Sequence, residues 1–151
     1  MPYDDSRIGI YQYVESLLVK DGDNGVTENV YLMNEPQSLT ESDTEEGFIV
    51  IQVGDFYDAG EFDGETYGWA RVYVRTYVPP ITRGRLDIDK YEVFEEKINT
   101  IIKDASEVRD GKYWIQSESV LSMDTNSQAN ANNAYFMFIK SFVVMVNSVD
   151  D

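Results

Sequence analysis

Between Thr66 and Val78 the chain reads TYGWARVYVRTYV, and its side chains alternate without a break. Trp69, Arg71, Tyr73, Arg75 and Tyr77 fall on one side, and Ala70, Val72, Val74, Thr76 and Val78 on the other. Successive side chains of a strand point to opposite faces, so this period of two builds an apolar face for a core and an amphipathic face of Arg and aromatics. A helix would scatter the same residues around its circumference. The segment is therefore a long strand, and Pro79-Pro80 ends it. Upstream, Phe48 to Tyr57 (FIVIQVGDFY) is a second strand rich in β-branched and aromatic residues. The acidic stretch Asp58 to Glu65 (DAGEFDGE) between them reads as a turn-rich tip, which predicts an antiparallel hairpin.

Two helical patterns flank this hairpin. In residues 6–20 (SRIGIYQYVESLLVK), Ile10, Val14, Leu17 and Leu18 follow the spacing of one apolar helix face. Asp4, Asp5 and Ser6 supply a cap and negative charge for its start, and Gly9 weakens its first turn. Asp87 or Asp89 caps a second helix, Lys90 to Ser106, with Tyr91, Phe94, Ile98, Ile101, Ile102 and Ala105 on one stripe. Val30 to Met33 reads as a short strand, and Lys112 to Met123 and Ala134 to Asn147 as two longer ones. The last is apolar on both faces from Phe142 onward, as a central or interface strand is. Helix, short strand, hairpin, helix, hairpin is the order of an α+β fold. Residues 1–151 are expected to form a single domain, with two amphipathic helices on one face of an antiparallel sheet of about four to five strands.

Charge is distributed unevenly. Residues 1–65 hold 16 acids and two bases, while residues 66–151 hold 12 acids and 10 bases, and the whole chain carries −16. Duplex binding works by cations displacing counterions, so this excess argues against sequence-specific nucleic acid binding and against anionic membrane surfaces. No apolar run approaches the roughly 18 residues of a membrane-spanning helix. The N-terminus MPYDDSRIGIYQYV does not have the pattern of a signal peptide, which leaves the cytoplasm as the expected compartment.

Reactive chemistry is sparse. The chain has no histidine and no cysteine, so it lacks the usual proton shuttle and the usual sulfur nucleophile. No G-x-S-x-G elbow and no glycine-rich phosphate loop occurs. Asp21-Gly22-Asp23-Asn24-Gly25 fails as a calcium loop, because glycine falls fifth rather than sixth and Leu32 takes the twelfth position. A carboxylate pair such as Asp55 with Glu118 has nothing in the sequence to bring it together. The acids Asp55, Asp58, Glu61, Asp63 and Glu65 are the densest cluster. They read as a solvated tip, as an oxygen-rich Ca²⁺ site, or, in a ring of copies, as a wall that repels DNA phosphates. Arg83 and Arg85 stand out in so acidic a chain; they are either an exposed loop or a contact with the acidic half of a neighbouring copy. The row Trp69, Arg71, Tyr73, Arg75, Tyr77 has the composition of a subunit interface, unless the second helix covers it.

The element order, the chain length and the segments RVYVRTYVPP and YFMFIKSFVVMV resemble the tail-terminator and tail-completion proteins of long-tailed phages and prophages. The resemblance spans Ser6 to Asn147, and the loops at 34–47 and 124–133 depart from it. It implies a structural virion protein that assembles as a ring, such as a hexamer, and docks on neighbouring virion proteins. It implies no catalysis, metal or cofactor, with assembly in the cytoplasm and residence in the virion tail. A monomeric acidic module that binds Ca²⁺ or a basic protein partner is the alternative.

Overall fold

The computed structural model describes residues 2–22, 25–33, 46–62, 65–79, 87–107, 112–125 and 136–148. The elements are α1 (Pro2–Leu18), β1 (Val30–Leu32), β2 (Phe48–Val53), β3 (Tyr57–Phe62), β4 (Glu65–Val78), α2 (Ile88–Glu107), β5 (Tyr113–Thr125) and β6 (Phe136–Ser148). Across the sheet the order is β1-β2-β4-β6-β5, with β3 also on β4. β1 runs parallel to β2, and every other pairing is antiparallel. The fold is α+β.

The long alternating strand is the axis of the sheet. β4 pairs with β6 from Thr66 to Val78, and its other edge is shared by β2 and β3 in succession. Its apolar side lies in the core as expected: Ala70, Val72, Val74, Thr76 and Val78 are fully buried. Ile49, Ile51 and Val53 of β2, Phe138, Phe142 and Val144 of β6, and Ile115 of β5 continue that layer. Ile10, Val14 and Leu18 of α1 and Phe94, Ile98 and Ile102 of α2 close over it, so both helices pack on one face.

Several boundaries differ from those the sequence suggested. α1 starts at Pro2, so Asp4, Asp5 and Ser6 lie inside the helix rather than before it. Proline is tolerated in a first turn because its missing N–H has no intrahelical acceptor there. α1 stops at Leu18 because Val19 leaves it for a parallel bridge to Thr27. Asp87 caps α2, its carboxylate accepting a bond from the Lys90 N–H at 3.1 Å.

The largest correction is at the hairpin. The strand read as Phe48 to Tyr57 breaks after Val53, and most of the supposed acidic tip is strand: β3 runs to Phe62 and β4 begins at Glu65. Val53 pairs with Val72 and Tyr57 with Trp69, so four steps along one strand match three along the other. One extra residue reverses the side-chain alternation. Phe56 then packs on the core, and Tyr57 shares a face with Trp69. Gly68 makes room for this, since a Cβ there would overlap the Phe56 ring.

Candidate functional site

With both helices on one face, the other face of the sheet carries no helix among the described residues. Trp69, Arg71, Tyr73 and Arg75 lie on that helix-free face, half-buried except for Tyr73, which is 38% exposed. The second helix does not cover them. Tyr77 is a correction: only 1% exposed, it stacks on Phe48 at 4.5 Å in a small buried cluster with Val50. A fully buried ring is not available to a second molecule.

Register extends this row into a surface. Tyr57, Trp69, Met145 and Trp114 are successive partners across β3, β4, β6 and β5, so four large side chains form a line about 14 Å long at ordinary strand spacing. Tyr57 is 52% exposed and stacks on Trp69 with ring centroids 4.6 Å apart. The next line is Arg71, Val143 and Gln116. Between the two lies a groove of 410 Å³ lined by Trp69, Arg71, Gln116, Val143 and Met145. Leu121, 58% exposed, follows one line further along.

Arg71 is held in place. Its Nη1 donates to the Ser141 hydroxyl at 2.9 Å and to the Ser119 carbonyl at 3.3 Å. Ser119 belongs to a bulge, where five steps of β5 from Gln116 to Leu121 match two steps of β6. The Ser119 hydroxyl closes the bulge by accepting from the Val143 N–H at 2.7 Å and donating to the Gln116 carbonyl at 2.6 Å. Arg71 is thus tied to both strands beyond β4, with its fork at the groove.

The remaining expected site residues are not gathered. Asp55 is exposed between β2 and β3. Asp58 and Glu61 fall within β3 and Glu65 opens β4. Asp63, Arg83 and Arg85 lie outside the described residues. Asp55 and Glu118 stand toward opposite edges of the sheet, with β4 and β6 between their strands, and form no pair. Among the described residues no three acidic side chains are placed to hold a metal ion. No described helix is long and apolar enough to cross a membrane.

Sequence reading missed Tyr57, Trp114, Gln116, Val143 and Met145 on this face. For the β6 pair the signal was present, since Met137, Ile139, Ser141, Val143 and Met145 share one parity of a strand read as apolar on both faces. For Tyr57 the only signal was Gly54, which suggests a bulge without saying that it reverses the side of Tyr57. Compared with protein-family models and with curated proteins, the chain matches none.

Proposed function

We propose that this chain is a structural protein of a phage or prophage tail, of the tail-terminator or head–tail completion type. It works by associating with copies of itself into a ring and docking on neighbouring virion proteins. One observation carries this reading: both helices lie on the same side of the sheet, which leaves the face of Trp69, Arg71 and Tyr73 without a helical cover. Aromatics, Met and Arg are the residues enriched where proteins meet. Tyr57, Trp69, Met145 and Trp114 form the apolar centre of such a patch, and Arg71 supplies a rigid fork for a carboxylate.

The net charge of −16 suits the same role. Acids repeated around a ring repel DNA phosphates and keep a passing duplex from sticking. Assembly takes place in the cytoplasm and the ring ends in the virion, with no catalytic step and no cofactor. Arg83 and Arg85 add a second contact, toward the acidic half of the adjacent copy.

Sedimentation velocity across a concentration series, with negative-stain electron microscopy, tests this. Annular particles with a mass several times 17.3 kDa are expected, and they should dissociate in high salt. Arg83→Glu with Arg85→Glu should lower the mass. A chain that stays monomeric up to the most concentrated stock ends the proposal.

A further inference from the structure

We infer that the helix-free face of one copy receives the outward face of α2 from the next copy. This pairing rests on self-association being the chain's mode of action, and it names the surface that meets Trp69 and Arg71.

Charge selects the partner. By strand alternation and register, Arg71 and Arg75 stand on the helix-free face, both cationic, with the exposed Glu118 in the adjoining bulge of β5. The two arginines stand on a chain whose net charge is −16. The outward side of α2 is the complement. Asp89, Glu92, Glu96, Asp104 and Glu107 are exposed there against Lys97 and Lys103. A like-charged surface on either side would repel its partner, so opposite fields also fix the register of docking.

Shape agrees with charge. A groove of 450 Å³ runs along α2 beside Gly25, lined by Val93, Thr100 and Ile101, by the carboxylates of Glu96 and Asp104, and by Lys97 between them. Val93, Glu96, Thr100 and Asp104 recur every three or four residues and so share one helix face. Val93 is 46% exposed, an apolar side chain left open in the middle of an acidic helix. The groove offers aliphatic contact to the exposed Tyr57 ring and carboxylates to the Arg71 fork.

Topology gives the consequence. The α2 surface and the Trp69 surface lie on opposite sides of the sheet, so the two cannot face each other in a two-fold dimer built from this contact alone. Their union is head-to-tail, which repeats from copy to copy and closes into a ring when the rotation allows.

Charge reversal tests the pairing. Arg71→Glu alone, and Glu96→Arg with Asp104→Arg alone, should each weaken association roughly tenfold and move the sedimenting mass toward 17.3 kDa. Mixed in equal amounts, the two variants should recover the wild-type mass, because each then meets an opposite charge at both contacts. Recovery also shows that both variants are folded. Tyr57→Glu, at the exposed end of the same line, serves as the second sheet-side variant and should be rescued by the same α2 variant. A wild-type oligomer whose mass the α2 variant leaves unchanged, or a mixture that stays dissociated, overturns the pairing and spares self-association. A wild-type chain that is monomeric throughout overturns both.

Discussion

Gly9 of α1 lies directly against the Tyr113 ring of β5: a Cβ at position 9 would overlap the Tyr113 hydroxyl. Tyr13, one turn further along α1, stacks on the same ring with centroids 5.5 Å apart. Helix propensity favours Gly9→Ala by about 1 kcal/mol, but overpacking of this kind typically costs about 1–3 kcal/mol. The ring is pinned by Tyr13 and has little room to yield. Gly9→Ala should therefore destabilise the protein by about 1 kcal/mol in urea unfolding. In a Tyr113→Phe background, which removes the nearest atom, the loss should shrink by at least half. A stabilising Gly9→Ala would mean that Tyr113 moves aside.

Ser119 replaces backbone in the bulge of β5. Its hydroxyl is the acceptor for the Val143 N–H, and Val143 is 7% exposed. Ser119→Ala leaves that donor without a partner in a site that water reaches poorly, a loss of about 1–3 kcal/mol. The same change frees the loop that holds the Arg71 guanidinium through the Ser119 carbonyl. Urea unfolding should show the loss, and amide exchange at Val143 should accelerate. Unchanged exchange there would assign the bulge no role in protecting the ladder.

The parts of the fold visible in sequence are those set by strong local periodicity. β4 alternates over its whole length, and α2 keeps Phe94, Ile98, Ile102 and Ala105 on one stripe, all of them buried. What stayed hidden depends on register. Gly54-Asp55 in FIVIQVGDFY is the kind of interruption that marks a bulge, but how many residues it adds is defined only relative to β4. Its effect is to turn Tyr57 onto the helix-free face. Tyr77 shows the same limit from the other side. Alternation places it with Trp69, but stacking on Phe48, nearly thirty residues earlier, withdraws it from the surface. The face itself was legible; which helices would leave it uncovered was decided by packing on the opposite side.

Lys140 sits on β6 between Phe138 and Phe142, on the side where both helices pack, and is only 5% exposed. Its ammonium donates to the Ser122 hydroxyl, a neutral partner. Among the described residues no carboxylate pairs with it, and one hydroxyl does not offset the desolvation of a buried ammonium. Lys140→Met keeps the stem and removes the charge, and it should raise stability by about 1 kcal/mol. Ser122→Ala should lower it by about 1–3 kcal/mol by taking away the acceptor. A lower unfolding midpoint for Lys140→Met would show that the ammonium gains more in the fold than it loses.

Tyr13 gives the pH dependence. Burial raises its phenol above the ordinary tyrosine value, since the ionised form is poorly solvated there. The unfolded chain, with the ordinary value, ionises first as pH rises. Tyr13 thus contributes stability that is intact below about pH 10 and is lost as pH climbs through the raised folded value. Tyr13→Phe should reduce the alkaline fall in the urea midpoint relative to wild type while changing the fall below that range little. Parallel curves for the two proteins across the alkaline range would remove Tyr13 from the effect.

Both tryptophans of the chain, Trp69 and Trp114, flank Met145 on the helix-free face. Indole emission therefore reports that face and little else. If copies associate through it, desolvation of the two rings should shift emission to the blue and reduce acrylamide quenching as concentration rises, and high salt should reverse both. Trp114→Phe isolates Trp69, which carries the stacked Tyr57 ring and lines the groove beside Arg71. Its signal should keep most of the response. An oligomer that forms with unchanged emission would move the contact off this face.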